Sequence, residues 1–364
     1  MGTLKTTLPD KYAFRREQIL HYVIMSGEIP NELYKIIGIT YANYRNYIRI
    51  FRQDNLIRTI KKDGIIGYTL TAQFKQLVMC DLRYQKYGGR IATVSSDPQK
   101  RRRMQNFAEL YAAFDLAGVT YEHYMKPQIK YIMKEQVKDK LYFYTSAEFK
   151  SELETSEATI RGSRAYGILV KNSKVLPVYK ARHNLPDFTN REFSFILLLN
   201  KYFQCNINKA VMFCDDINAF KNISNTLLNF SETGKTTNIT ASGYYRSLIL
   251  IPCRERLQLQ MWTLYNEEQI KNKLNTRLNI QQKKSYIVCD GFIEDVPVLY
   301  MLNFDIAKLN LYLSLNKQQQ TEAKIVCYDY MSEVIQSLLC TQNNIKIIRV
   351  KSDVLEGKCK DYEV

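Results

Sequence analysis

Two β-branched runs, Leu56–Lys62 and Ile65–Thr71, meet at Asp63-Gly64, and an Asp-Gly pair between such runs commits the segment to an antiparallel hairpin. What precedes the hairpin has a different period. Phe14, Ile19, Leu20, Val23 and Ile24 recur at helical spacing and Gly27 follows, so a first helix is expected over Phe14–Met25. A second is expected from Ile29-Pro30, with the proline at an early helical position, to a stop at Gly38. Thr40 then suits the N-cap of a third helix running from Tyr41 to about Asp54.

On that third helix Tyr44, Tyr47, Ile48 and Phe51 share one face, leaving Asn43, Arg45, Asn46, Arg49 and Arg52 on the others. Three short helices and a hairpin in this order resemble the winged-helix superfamily over about 70 residues. The resemblance implies double-stranded DNA as partner, with the third helix in the major groove. Arginine offers a fork to guanine or phosphate, and asparagine can pair bidentately with adenine. Arg58, Lys61 and Lys62 on the hairpin would reach backbone phosphates.

Charge points the same way. The 364 residues carry 52 Lys+Arg against 36 Asp+Glu, a net +16. Residues 1–103 alone hold 8 lysines and 11 arginines against 8 acids, a net +11 that leaves +5 for the rest, so a polyanion-binding surface is expected in the first quarter. A basic connection follows, with Arg83, Lys86, Arg90 and the run Lys100, Arg101, Arg102 and Arg103. Pro98 opens a helix towards Gly118 that puts this run in its first turns, where positive charge opposes the helix dipole. Lys100 to Arg103 are therefore read as ligand-facing. The expected division is a DNA-binding domain over 1–82, a basic linker and helix over 83–140, and an α/β domain over 141–364.

Beyond residue 140 extended and helical runs alternate, which predicts a mixed sheet covered by helices, α/β for this part and α+β for the whole chain. Expected strands include Tyr166–Val170 with Lys174–Tyr179, Ala210–Cys214, Arg246–Pro252, Ser285–Cys289 with Pro297–Asn303, Ala323–Tyr328 and Ile345–Val350. Expected helices include Asn190–Tyr202, Asp216–Leu228, Ile306–Leu315 and Met331–Leu339, with Glu192 on a surface and Asp216 as a helix cap. No Gly-x-Gly-x-x-Gly or complete Walker pattern occurs, and Ser231–Thr237 holds only a Gly-Lys-Thr fragment.

Asp290 directly follows one expected strand of the later hairpin, and Asn303 and Asp305 end its partner. This spacing resembles the restriction-endonuclease-like nuclease core, in which two acids hold a divalent metal and a lysine positions the attacking water. Cys289-Asp290-Gly291 followed by Leu302-Asn303-Phe304-Asp305 also resembles the replication-relaxation family of plasmids and mobile elements, which joins a winged helix to a nuclease-like domain. The resemblance implies a role in replication initiation or conjugative transfer, with replication or transfer proteins as further partners and homo-oligomers compatible with it. Asn303 stands where the second acid would be and Asp305 where the lysine would be; the nearest lysine, Lys308, lies on the next helix. A nuclease-like fold without cleavage, and so without a cofactor, is the expectation. The alternatives are a nuclease or nicking relaxase using Asp290, Asn303, Asp305 and Lys308 with Mg2+ or Mn2+, and a repressor whose α/β domain senses a ligand.

The remaining composition closes off other classes. Eight scattered cysteines without a Cys-x-x-Cys pair are expected as buried thiols, and three dispersed histidines give no zinc cluster. No apolar run is long enough for a membrane span, and the first ten residues lack a signal-peptide core, so a cytoplasmic protein is expected.

Overall fold

The computed structural model describes residues 10–81, 84, 96–132, 140–151, 163–171, 174–182, 190–232, 245–283, 289–319, 321–339 and 344–352. Among them the protein is mixed α/β, in two units that meet at Pro127 and Gln128.

Unit 1 contains α1 (Asp10–Ser26), β1 (Ile29–Pro30), α2 (Tyr34–Ile37), α3 (Tyr41–Gln53), β2 (Ile57–Lys62), β3 (Ile65–Leu70), α4 (Ala72–Met79), α5 (Pro98–Leu116) and β4 (Val119–Thr120). The expected second helix is shorter than its sequence suggests. Ile29 and Pro30 instead pair with Tyr68 and Gly67, giving a three-stranded sheet in the order β1-β3-β2. A residue before proline avoids helical torsions and proline donates no hydrogen bond, so the extended edge position suits both. Asp63 and Gly64 both take positive φ, 53° and 71°, which is the turn an Asp-Gly hairpin requires.

The helix from Pro98 is no linker. α5 packs on α1, α2 and β1, and so belongs to unit 1. Its Ala108, Leu110, Ala112, Ala113 and Phe114 are fully buried. Most of the basic connection before it, including Arg83, Lys86 and Arg90, lies outside the described residues.

Unit 2 contains α6 (Ile129–Ile132), β5 (Leu141–Thr145), α7 (Ser146–Ser151), β6 (Gly167–Lys171), β7 (Lys174–Lys180), α8 (Asn190–Phe203), β8 (Lys209–Cys214), α9 (Ile217–Glu232) and β9 (Ser247–Pro252). It continues with α10 (Leu257–Tyr265), α11 (Glu267–Leu278), β10 (Gly291–Ile293), β11 (Val296–Tyr300), α12 (Ile306–Gln319), β12 (Ala323–Tyr328), α13 (Ser332–Leu338) and β13 (Ile345–Val350). Two of its sheet runs have the orders β5-β6-β7-β8-β9 and β10-β11-β12-β13.

One design is used twice in unit 2. An antiparallel hairpin (β6-β7, then β10-β11) leads through a helix to a strand parallel to its second arm, and through another helix to a further parallel strand. Parallel strands covered on both faces need apolar residues throughout, which is why Ala210–Cys214 and Ile325–Tyr328 are buried without alternation. The two sheets share one core, with Phe220 against Phe304 at 3.9 Å between ring centroids.

Two expectations change here. The later hairpin is Gly291–Ile293 with Val296–Tyr300, so Asn303 and Asp305 lie beyond the strand; all of Ser285–Cys289 except Cys289 falls outside the described residues. Glu192 is fully buried rather than on the surface, because it accepts hydrogen bonds from Ser163 Oγ, the Arg164 amide and the Tyr179 hydroxyl. Ser231–Glu232 end a helix, and the rest of the Gly-Lys-Thr fragment lies outside the described residues.

Candidate functional site

The α3 surface follows from how that helix is anchored. Gly38, at φ 68°, closes α2 by donating its amide to the Tyr34 carbonyl. Two residues later the Thr40 hydroxyl accepts the Asn43 amide at 3.2 Å and starts α3. Tyr44 and Phe51 are fully buried, Tyr47 and Ile48 nearly so, and the Tyr44 hydroxyl donates to the Pro30 carbonyl at 2.9 Å. With that face fixed in the core, Asn43, Arg45, Asn46, Arg49 and Arg52 are all exposed. The Arg45 guanidinium lies over the Tyr41 ring, 5.7 Å from its centroid, and Arg49 donates to Asn46 Oδ1 at 3.0 Å. Arg16 neutralises Asp54 at the far end of the helix with a 2.7 Å ion pair. Burial and Tyr41 raise the Tyr68 hydroxyl above its ordinary value, and Arg45 and Arg52 act against that rise.

The hairpin adds Arg58, Lys61 and Lys62, all exposed on β2. Together the helix and β2 present six cationic side chains.

The basic run on α5 divides. Lys100 and Arg102 are exposed and Arg103 is half-buried, its guanidinium 5.5 Å from the centroid of the Phe107 ring. Arg101 is not available to a ligand, correcting its reading as a contact residue. It is 1% exposed, and donates to both Glu28 carboxylate oxygens at 3.0 and 2.7 Å and to the carbonyls of Lys62 and Ile60 at 3.2 and 3.1 Å. Gln105, one turn on, donates to Glu28 Oε1 at 2.7 Å and to the Ile66 carbonyl at 3.1 Å. Arginine is the cation suited to this place, since its planar fork can serve a carboxylate and two carbonyls at once. The glycine at position 67 is required by the same clamp, because a Cβ there would collide with the Glu28 carboxylate.

In unit 2 the acids and the lysine of the alternative reading are only partly brought together. Lys308 reaches back from α12 and donates to both oxygens of Asp290, at 2.6 and 2.7 Å. Lys271 adds a 2.9 Å contact and the Tyr300 amide a 2.8 Å bond to the same carboxylate. Lys271 also pairs with Glu267 at 2.9 Å, and Glu267 with Lys209 at 2.8 Å, completing a ladder of three lysines alternating with two acids.

Asp305 serves other partners. Its carboxylate accepts from Ser247 Oγ at 2.5 Å and from the Leu248 and Lys308 amides at 3.2 Å, capping α12 and joining it to β9. Asn303 is 6% exposed, and neither side-chain amide atom has a hydrogen-bond partner among the described residues. It lines, with Lys209 and Tyr300, a cavity of about 10 Å³, room for about one water and too small for a phosphate group. A divalent metal at Asp290 would have to displace two ammonium groups and an amide. Asp216 is a helix cap as expected, accepting the Ala219 amide at 2.9 Å.

The ladder has a pH signature. Burial alone would raise Asp290, but Lys308 and Lys271 outweigh it and hold the carboxyl below its usual range; Glu267, likewise opposed by burial, is drawn down to about 2 by Lys209 and Lys271. A lowered folded value stabilises the fold above the unfolded carboxylate pKa, roughly 4, and that stabilisation disappears as pH falls through the folded value. Urea unfolding followed by Trp262, the single tryptophan, should therefore lose stability between about pH 4 and pH 2. Asp290→Asn is expected to be less stable at neutral pH and flatter in that acid window. An identical acid slope in the variant would contradict the ladder.

Sequence reasoning missed Glu28 and Gln105 as partners of Arg101, and Lys209, Glu267 and Lys271 around Asp290. Only the four-residue spacing of Glu267 and Lys271 on one helix was a local signal. No helix among the described residues is long and apolar enough to cross a membrane. No protein-family model, curated protein or solved structure matches the chain.

Proposed function

We propose that unit 1 is a winged helix that binds double-stranded DNA in a sequence-specific manner, with α3 in the major groove and the β2-β3 hairpin as the wing. The observation that carries this reading is the segregation on α3. Four aromatic or aliphatic side chains are buried on one face while three arginines and two asparagines are exposed on the others. Arg45 and Arg49, one turn and about 6 Å apart along the helix, are spaced to meet neighbouring base pairs. The cationic wing complements them through phosphates, which position the protein without reading sequence. Unit 2 is proposed as a nuclease-like assembly domain, since Asp290 is saturated by lysines and Asp305 by backbone amides and Ser247. The order of the two units supports, by resemblance, a role in replication initiation or transfer of a plasmid or mobile element.

The wing assignment is tested by salt titration. Replacing Lys61 and Lys62 with alanine should make the slope of log affinity against log salt shallower by about 0.9 for each phosphate no longer neutralised, and weaken all DNA sequences alike. Altered site preference with an unchanged slope would contradict it.

A further inference from the structure

Unit 1 also holds a cleft of about 770 Å³ whose chemistry is the opposite of the α3 face. α1 contributes Phe14, Glu17 and His21, α4 contributes Phe74 and Leu77, and Asp81 and Tyr84 follow α4. Asp115, at the end of α5, and Tyr121, Glu122 and Tyr124 close it. Among the described residues, four carboxylates against a single imidazole line this space, within a segment that is otherwise strongly basic.

Two of these acids, Asp115 and Glu122, are held in place by neighbouring side chains. Asp115 accepts from the Tyr22 hydroxyl at 2.5 Å and from Gln18 at 3.1 Å. His21 Nδ1 is 3.0 Å from the Tyr84 hydroxyl, and Nε2 is 3.6 Å from the Glu122 carboxylate. The His21 ring is tilted against both Tyr84 and Tyr121, with centroids at 5.9 and 6.0 Å. The Tyr121 hydroxyl is buried beside Asp115, and burial together with that neighbouring carboxylate pushes it well above its ordinary range. Phe14 and Leu77, at 63% and 64% exposure, are apolar side chains at the rim.

We infer that this cleft is a binding site for an organic cation with an apolar body. Aromatic faces attract a cation through their quadrupole, the carboxylates compensate its charge, and burying its apolar surface supplies the rest of the affinity. The volume suits a ligand of drug size and is far larger than a metal ion needs; among the described residues no cluster of three or more His, Cys, Asp or Glu could hold one. The described carboxylates disfavour a polyanion, and no described lining residue lies on α3 or β2, so the inference stands independently of DNA binding.

Isothermal titration of the full chain with tetraphenylphosphonium, a cation that cannot be deprotonated, tests this. Saturable one-site binding is expected, with triphenylphosphine oxide, its neutral relative, at least about tenfold weaker, a difference of about 1.4 kcal/mol. Glu122→Gln should weaken the cation about tenfold and leave the neutral compound unchanged. Because Glu122 also contacts His21, Leu77→Arg provides a second variant at an exposed position, and should weaken the cation by introducing like charge. Absence of saturable binding to the wild type, equal affinity for the neutral compound, or unchanged affinity in Leu77→Arg would each overturn the inference.

Discussion

Arg101→Ala is expected to destabilise unit 1 by about 3–5 kcal/mol, the range for removing one partner of a buried ion pair and leaving the other uncompensated. Glu28 and Arg101 are each 1% exposed, so water cannot replace the missing guanidinium without opening the fold. The carbonyls of Ile60 and Lys62 are deprived of a donor at the same time. The damage should be greatest in the hairpin. Hydrogen exchange of the full-length protein, followed in peptides spanning 57–70, should show faster exchange in the variant and unchanged protection in β8 and β12. A second substitution, Glu28→Gln, should cost much less in the Arg101→Ala background than alone, because the stranded charge is gone. Unchanged protection of the hairpin in Arg101→Ala would mean that the clamp contributes nothing to it.

Much of the fold is legible in the sequence because its signals are local. The Asp-Gly turn, the Thr40 cap, the apolar stripe of α3 and the near-continuous apolar runs of β8, β9 and β12 each depend on residues within a few positions of one another. The misreadings share a cause. Pro30 opens a helix by local rule, yet its neighbours are taken up by β3, almost 40 residues on. The run Lys100–Arg103 reads as four equivalent charges, but 3.6 residues per turn sends its second member inward, and only the distant Glu28 decides that it can stay there. Glu192 reads as a surface residue from its own helix for the same reason: its partners Ser163, Arg164 and Tyr179 come from other elements.

The site is legible to the extent that a single helix builds it. Exposure of Asn43, Arg45, Asn46, Arg49 and Arg52 follows from the periodicity of α3 alone. The surroundings of Asp290 do not have that property, since Lys271, Tyr300 and Lys308 come from α11, β11 and α12. Their convergence depends on the hairpin turning at Glu294 and Asp295, both at positive φ. Lys308, outside the strand where a nuclease lysine would stand, still reaches Asp290, and it does so as a bidentate partner of the carboxylate.

The central claim is that α3 reads DNA, and Arg45 and Arg49 are its most direct expression. A duplex selected from a random library by the full-length protein, at fixed salt and with magnesium present, supplies the ligand; the affinity of wild type and of Arg45→Ala/Arg49→Ala for it is then measured by fluorescence anisotropy. Two bidentate base contacts at about 1–3 kcal/mol each predict a loss of roughly 30-fold or more, with the far-UV circular dichroism unchanged because both side chains are exposed. Equal affinity of the double variant and the wild type for the selected duplex would contradict the assignment of α3 as the reading helix.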